Sequence, residues 1–333
     1  DGSEGWDITG GLVLSADTLF GMSHIGGESN RGTIYSVDTA GNNFTVLRLF
    51  TGDPSGSENP YGGMIVSGTT LFGMTMTGGS EDDGTVFSIG TDGNGYTLLH
   101  SFNDAAGEGN YPLGDLLLDG DRFYGMASDY NQADDGKVFS IGTDGTGYSE
   151  LHAFTGGVTG GEDPYGTLIL SGGILYGMSK GLAANSSQGL IFQVETDGDN
   201  YTVMHVFEGG TSDGQYPYGD LTLVNGVLYG MTAYRGANDL GTIFSIGIDS
   251  QDYTLLHSFT SNPGDGARPM GSLTYSLVDD KFYAMTYGGG ANSVGAIFSF
   301  DNPNPAGEVP EPSTILILIP LLGGLYWMRK RRK

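Results

Sequence analysis

Six near-copies of one segment, LFGMSHIGG, LFGMTMTGG, FYGMASDY, LYGMSKGL, LYGMTAYRG and FYAMTYGGG, place Met22, Met74, Met126, Met178, Met231 and Met285 at spacings of 52, 52, 52, 53 and 54 residues. A period of this size marks an architecture of repeated supersecondary units, none of which buries its apolar face alone. In the second unit four short segments stand out: GGMIV from Gly62, LFGMTM from Leu71, GTVFSI from Gly84 and YTLLHSF from Tyr96. All are β-branched or aromatic and bounded by Gly, Asp, Asn or Ser, the pattern of consecutive antiparallel strands. GTDGNG (Gly90 to Gly95) joins the third to the fourth, with GTDGTG at Gly142 and ETDGDN at Glu195 in the same place. Asp-Gly and Asn-Gly supply the positive φ angles that hairpin turns require.

Four strands per unit and six units predict an all-β, six-bladed β-propeller of four-stranded antiparallel blades over residues 1–301. A β-solenoid is the rival, but its repeats are usually shorter. The long segments Thr51 to Gly63 and Glu208 to Asp220 are the links that carry the chain from the outer edge of one blade to the innermost strand of the next. Sixty glycines, 19 tyrosines and 16 phenylalanines fit strands and tight turns, so helix is expected to be nearly absent before Ser313. A Pro-rich linker, 302–313, and an apolar segment with a basic end, 314–333, complete the chain.

Aligning the units exposes a gap. Phe50, Phe102, Phe154, Phe207 and Phe259 each lie 12 residues before the link glycines Gly62, Gly114, Gly166, Gly219 and Gly271, whereas no such Phe precedes Gly10. The sixth unit ends at GAIFSFD (Gly295 to Asp301) without a YTLLHSF counterpart. One blade is therefore expected to be a strand short, with an open edge that a further strand would template upon. Asp1 is what a chain trimmed of a leader would begin with.

Residues 1–306 carry 37 acidic against 8 basic side chains, a surface that repels phosphate backbones and attracts cations, so nucleic acid is a poor partner. With no cysteine, disulfides and thiolate metal sites are excluded. His100, His152, His205 and His257 recur once per unit at the same strand position, with Arg48 as their counterpart in the first, which reads as structure instead of catalysis. Asp92, Asp144, Asp197 and Asp249 open the hairpin turns. Where a cation binds, the oxygen-rich positions are Glu81, Asp82 and Asp83, Asp134 and Asp135, and the turn pair Asp197 and Asp199; Ca²⁺ is the ion such ligands suit, although no complete calcium loop is present. No nucleophile elbow or metal-pair motif is present, and an enzyme is not expected.

The repeats LYGMT…GTIFSI…YTLLHSF…PYGDL over residues 8–301 resemble the GloVer tandem repeats of bacterial surface proteins. The end, VPEPST (Val309 to Thr314) followed by apolar residues and RKRRK, resembles a PEP-CTERM sorting signal, with Pro310, Glu311 and Pro312 as the motif and Arg329, Lys330, Arg331, Arg332 and Lys333 as the basic terminus. That resemblance implies export in a Gram-negative bacterium, processing by an exosortase-type enzyme, transient membrane contact through the tail, and residence at the cell surface or among extracellular polysaccharide. Ile315 to Met328 is short for a membrane span, about 21 Å as a helix against a core of about 30 Å. Thr314, Ile315, Leu316, Ile317, Leu318 and Ile319 form a β-branched, apolar run suited to donation as a strand, to the sixth blade or to a neighbour in a homopolymer. Two functional classes follow: a structural, self-assembling surface component, and a surface propeller that binds glycans or cations.

Overall fold

The computed structural model describes residue 5 and residues 7–52, 56–128, 135–181, 188–249, 251–260, 262 and 264–304. Asp134, Pro310 to Pro312, Thr314 to Ile319 and Arg329 to Lys333 lie outside the described residues. Among the described residues, helix is confined to Gly157–Gly160 and a 3-10 turn at Asp104–Ala106. The rest of the regular structure is strand, arranged as a six-bladed propeller whose sheets follow the order of the sequence.

Blade one is Val13–Ser15, Thr18–Ser23, Thr33–Asp38 and Thr45–Leu49, and blade two is Met64–Ser67, Thr70–Thr75, Thr85–Gly90 and Thr97–Ser101. These are the four segments read from the repeat. Blades three, four and five repeat the plan, and the sheet of blade six has three strands, Thr274–Ser276, Lys281–Thr286 and Ala296–Asp301. The propeller unit runs from Asp1 to Asp301. Two-residue ribbons such as Ser57–Glu58 with Thr77–Gly78 pin the links to the loops after the second strands.

Why the repeat contains a Gly before each Met is clear from the second and third strands. Gly73 pairs with Phe87, and Gly125 with Phe139, across the sheet. The Phe ring lies over the glycine so closely that a Cβ on Gly125 would sit 2.6 Å from its Cζ. In blade six Ala284 takes this place opposite Phe298. Each outer strand then breaks register once against the third strand, at the same point in blades one to five. Such a bulge inserts one extra residue and increases the local twist.

Each blade is apolar on both faces, because its strands alternate between the preceding and the following blade. Between blades two and three, Met74, Val86 and Phe102 pack against Leu116, Phe123, Phe139 and Ile141. The same positions meet between one and two, three and four, four and five, and five and six. The core is thus a series of slabs between sheets.

At the axis the links come closest. A Cβ on Gly10 would lie 2.2 Å from the Gly62 carbonyl oxygen, one on Gly62 2.3 Å from that of Gly114, and one on Gly114 2.2 Å from that of Gly166. The series continues through Gly166 and Gly219 to Gly271, which has nothing within 4 Å of its own Cβ position. Backbone meets backbone at each step, so no side chain can yield. Gly114→Ala should therefore destabilise the propeller by about 2 kcal/mol or more, whereas Gly271→Ala should change stability by less than about 0.5 kcal/mol. Urea midpoints of the two variants against wild type test the contrast.

Candidate functional site

The links and the loops after the second strands form one face of the propeller. In each link the residue three before the glycine takes a left-handed backbone: Asn59 (φ 54°), Tyr111 (49°), Asp163 (55°), Tyr216 (57°) and Arg268 (55°), with Asp7 (61°) at the matching place in blade one. Five of these precede a proline, where an extended backbone is the ordinary expectation. Two backbone hydrogen bonds hold each of these five, and the Asp7 carbonyl accepts one, from His24 N–H at 2.9 Å. The Asn59 N–H donates to the Arg31 carbonyl at 2.8 Å, and the Asn59 carbonyl accepts from Met76 N–H at 3.0 Å; Tyr111 does the same with Asp83 and Ser128, and Asp163 with Asp135 and Lys180. The link is thereby stitched to the loop of the preceding blade and to that of its own. Reading the sequence alone missed these positions, and the one available signal was an Asn, Asp, Tyr or Arg standing before Pro at a fixed point of the repeat.

Around the axis on this face, Tyr61, Tyr165 and Tyr218 meet edge to face, with centroids 6.2 and 5.5 Å apart. Lys180 Nζ lies 4.5 Å from the Tyr165 ring centre and 5.3 Å from that of Tyr218, and it pairs with the buried Asp163 carboxylate. His24 packs edge-on against Tyr61 at 5.5 Å. Burial pushes the Tyr61 and Tyr218 hydroxyls above their ordinary value, so both stay protonated donors at neutral pH. Aromatic rings carrying polar tips, beside an amine, offer both a stacking surface and hydrogen-bond donors.

One layer in from the link glycines runs a relay of amides. Gly63 N–H donates to Asp115 Oδ1, Asp115 N–H to Thr167 Oγ1 at 3.1 Å, Thr167 N–H to Asp220 Oδ1 at 2.6 Å, and Asp220 N–H to Ser272 Oγ at 2.8 Å. Burial pushes the Asp115 carboxyl up to about 6; the Gly63 N–H works against this and the charge of Asp220 adds to it.

The predicted cation positions fall into separate places. Glu81 and Asp82 line a cleft of about 310 Å³ together with Gly52, Glu58, Gly78, Gly79 and Ser80. Asp82 Oδ1 accepts the Gly78 N–H at 2.8 Å, while Asp83 Oδ2 accepts the Asp104 N–H at 2.9 Å. Glu58 is buried beside Arg31 at 2.7 Å, and burial raises its carboxyl above the usual range against the pull of Arg31. Asp135 belongs to the corresponding loop of blade three, its carbonyl bonded to the link at Asp163. Asp197 and Asp199 lie at the opposite end of blade four, in the hairpin after the third strand, where Asp197 Oδ1 accepts the Asp199 N–H at 3.0 Å. Among the described residues no three His, Cys, Asp or Glu side chains converge in a metal-binding arrangement.

The repeated histidines join blade to blade. His100 stacks on Tyr148 at 5.3 Å, His152 on Tyr201 at 3.4 Å and His205 on Tyr253 at 3.9 Å, each ring belonging to the next blade, and Arg48 covers Tyr96 at 3.4 Å. Glu108 holds His100 at 3.0 Å, and Asp213 holds His205 at 3.3 Å. Burial pushes the Asp213 carboxyl up, but His205 and the N–H groups of Glu208 and Gly214 together bring it below the usual value. His257 lies 3.2 Å from Asp265 and edge-on to Phe259.

This geometry defines a propeller made of tandem repeats whose signature side chains bind neighbouring blades together. The chain belongs to the Gloeobacter/Verrucomicrobia repeat family, whose model matches residues 1–187 and again 157–309. No curated protein matches it. Among solved structures it is similar to a GH74 enzyme of Niastella koreensis, at 14% identity over 90% of this chain and 46% of that one, with a TM-score of 0.61. It is likewise similar to an oligogalacturonate lyase of Vibrio parahaemolyticus, at 13% identity over 86% of this chain and 75% of that one, with a TM-score of 0.54. The chain spans less than half of the GH74 enzyme, and at these identities the likeness is one of fold.

The raised Asp115 carboxyl makes stability depend on pH. Its native value of about 6 exceeds the ordinary carboxylate value of about 3.9, so the native state holds the proton more tightly and its contribution is lost as pH rises from about 4 through 6. Asp115→Asn keeps an acceptor for Gly63 and abolishes that loss. The variant should be more stable than wild type by about 2 kcal/mol at pH 7.5 and nearly equal to it at pH 4, as read from urea unfolding at the two values.

Proposed function

We propose that the chain is a non-enzymatic structural module of the cell surface or extracellular matrix, exported by a Gram-negative bacterium. One observation carries this reading: the side chains that recur in the repeat, the strand histidines and their Tyr partners, join blade to blade in the same way at three successive junctions. A group used identically from blade to blade is architecture, whereas turnover needs one singular arrangement. The Pro310–Glu311–Pro312 motif, the apolar run after it and the basic terminus Arg329 to Lys333 support export and an exosortase-type processing partner, with membrane contact only in transit. The strongly acidic surface keeps such a module soluble beside polysaccharide and away from nucleic acid. Deleting Pro310 to Lys333 in the producing cell should abolish retention at the surface and in the matrix, as followed by fractionation and immunolabelling. Unchanged surface retention would sink the export reading.

The tyrosine cluster at the axis favours a second reading, that the link face binds glycans. Stacking of sugar rings on Tyr165 and Tyr218, with Lys180 as a donor, is the recognition chemistry it offers. On a glycan array, Tyr165→Ala should weaken any binding of the wild-type protein at least tenfold. Binding that is indifferent to this change would place the ligand elsewhere.

A further inference from the structure

Among the described residues the contact between blades is made five times and left half-made on blade one and on blade six. Blade six turns outward the face that every earlier blade buries against its successor. Met285 is 66% exposed, where Met22, Met74, Met126, Met178 and Met231 are 2–4% exposed. Ile297 is 81% exposed, where Ile34, Val86, Val138, Ile191 and Ile243 are 0–3% exposed, and Tyr287 and Val294 extend the bare patch. Blade one turns outward the opposite face. Leu12 is 51% exposed, where its counterparts Met64, Leu116, Leu168, Leu221 and Leu273 are 2–5% exposed; Leu14 and Phe44 are bare beside it.

Among the described residues the two faces of one chain do not meet. Each link glycine from Gly10 to Gly219 has the next link pressed against it, but Gly271 has nothing within 4 Å. They are nevertheless the two halves of one contact. Where blade five presents Tyr229, Met231 and Ile243 to Leu273 and Phe282 of blade six, blade six presents Tyr283, Met285 and Ile297, and blade one offers Leu12 and Leu14. Exposed apolar faces of this kind mark an interaction surface, and complementarity to an interface already present in the chain identifies the partner. We infer that blade six of one copy docks on blade one of a second copy of this chain, continuing the blade-to-blade packing between molecules. The inference rests on the structural reading above and names the contact that builds the assembly. Such a contact is heterologous, so it repeats from copy to copy unless its rotation closes a ring. It uses sheet faces, in distinction from donation of the tail as a strand.

Two variants of the full chain test it, each placing a charge on one face only: Leu12→Asp and Ile297→Asp. Wild type should self-associate with concentration in sedimentation and in electron micrographs. Either variant alone should need at least tenfold higher concentration to do so, and an equimolar mixture should give dimers that grow no further, since one intact face of each kind remains. The chain has no cysteine of its own, so Leu12→Cys and Met285→Cys form a clean second measurement that tolerates any loss of stability in the charged variants. Mixed single-cysteine chains should cross-link between copies. A wild type that stays a single particle at every concentration, or a double-cysteine chain that cross-links only within itself, overturns the inference in favour of ring closure. Variants that assemble like wild type overturn it in favour of another contact and leave the structural reading standing, whereas a chain confined to the cell interior removes that reading itself.

Discussion

The packing of one sheet on the next is the interaction from which the rest of this molecule follows. A single blade is apolar on both sides and has no stable existence in water, so each must be covered by its neighbours. The repeat encodes both halves of that contact in one unit: a Phe or Tyr, a Met and a β-branched residue facing forward, and Leu, Phe and Ile facing back. Stability is then nearly additive over junctions. Among the described residues the contact is left open on one face of blade one and one face of blade six.

The axis imposes a second constraint, because wedge-shaped slabs can be packed only if the inner ends come together. Glycine at each link permits the approach, and the amide relay through Asp115, Thr167, Asp220 and Ser272 ties one inner strand to the next. The left-handed residue before the link proline turns the chain into that approach. A non-glycine residue in this conformation costs on the order of 1 kcal/mol, and the two backbone hydrogen bonds flanking each one fix it in place.

Much of this was legible in the sequence. The 52-residue period and the four strand segments of blades one to five were read correctly because they depend on local alternation and turn chemistry, which the chain writes out again and again; among the described residues blade six has three strands. The role of the strand histidines was legible for the same reason, though not their Tyr partners, which lie 48 or 49 residues away and meet them only through the packing of blades. The link conformation ran against local expectation, since the preference before proline is extended and long-range hydrogen bonds overrode it. The acidic positions show the limit of composition. Asp82 and Asp197 are close to other carboxylates in sequence, yet each accepts a nearby backbone N–H and the two stand on different blades and at opposite ends of them.

Variation within the repeat points to where individual properties of this chain reside. At the left-handed link position the backbone is the same in every blade, held from blade two onward by the same pair of hydrogen bonds, while the side chain changes from Asp7 through Asn59, Tyr111, Asp163 and Tyr216 to Arg268. The inter-blade cores, by contrast, repeat the same kinds of residue from junction to junction. The varying side chains stand instead on the link face, where Asp163 holds Lys180 beside the tyrosines and Arg268 lies 5.2 Å from the centre of the Tyr234 ring. A constant backbone carrying four kinds of side chain at six equivalent positions is the arrangement by which a repeat scaffold acquires a face that the repeat itself does not dictate.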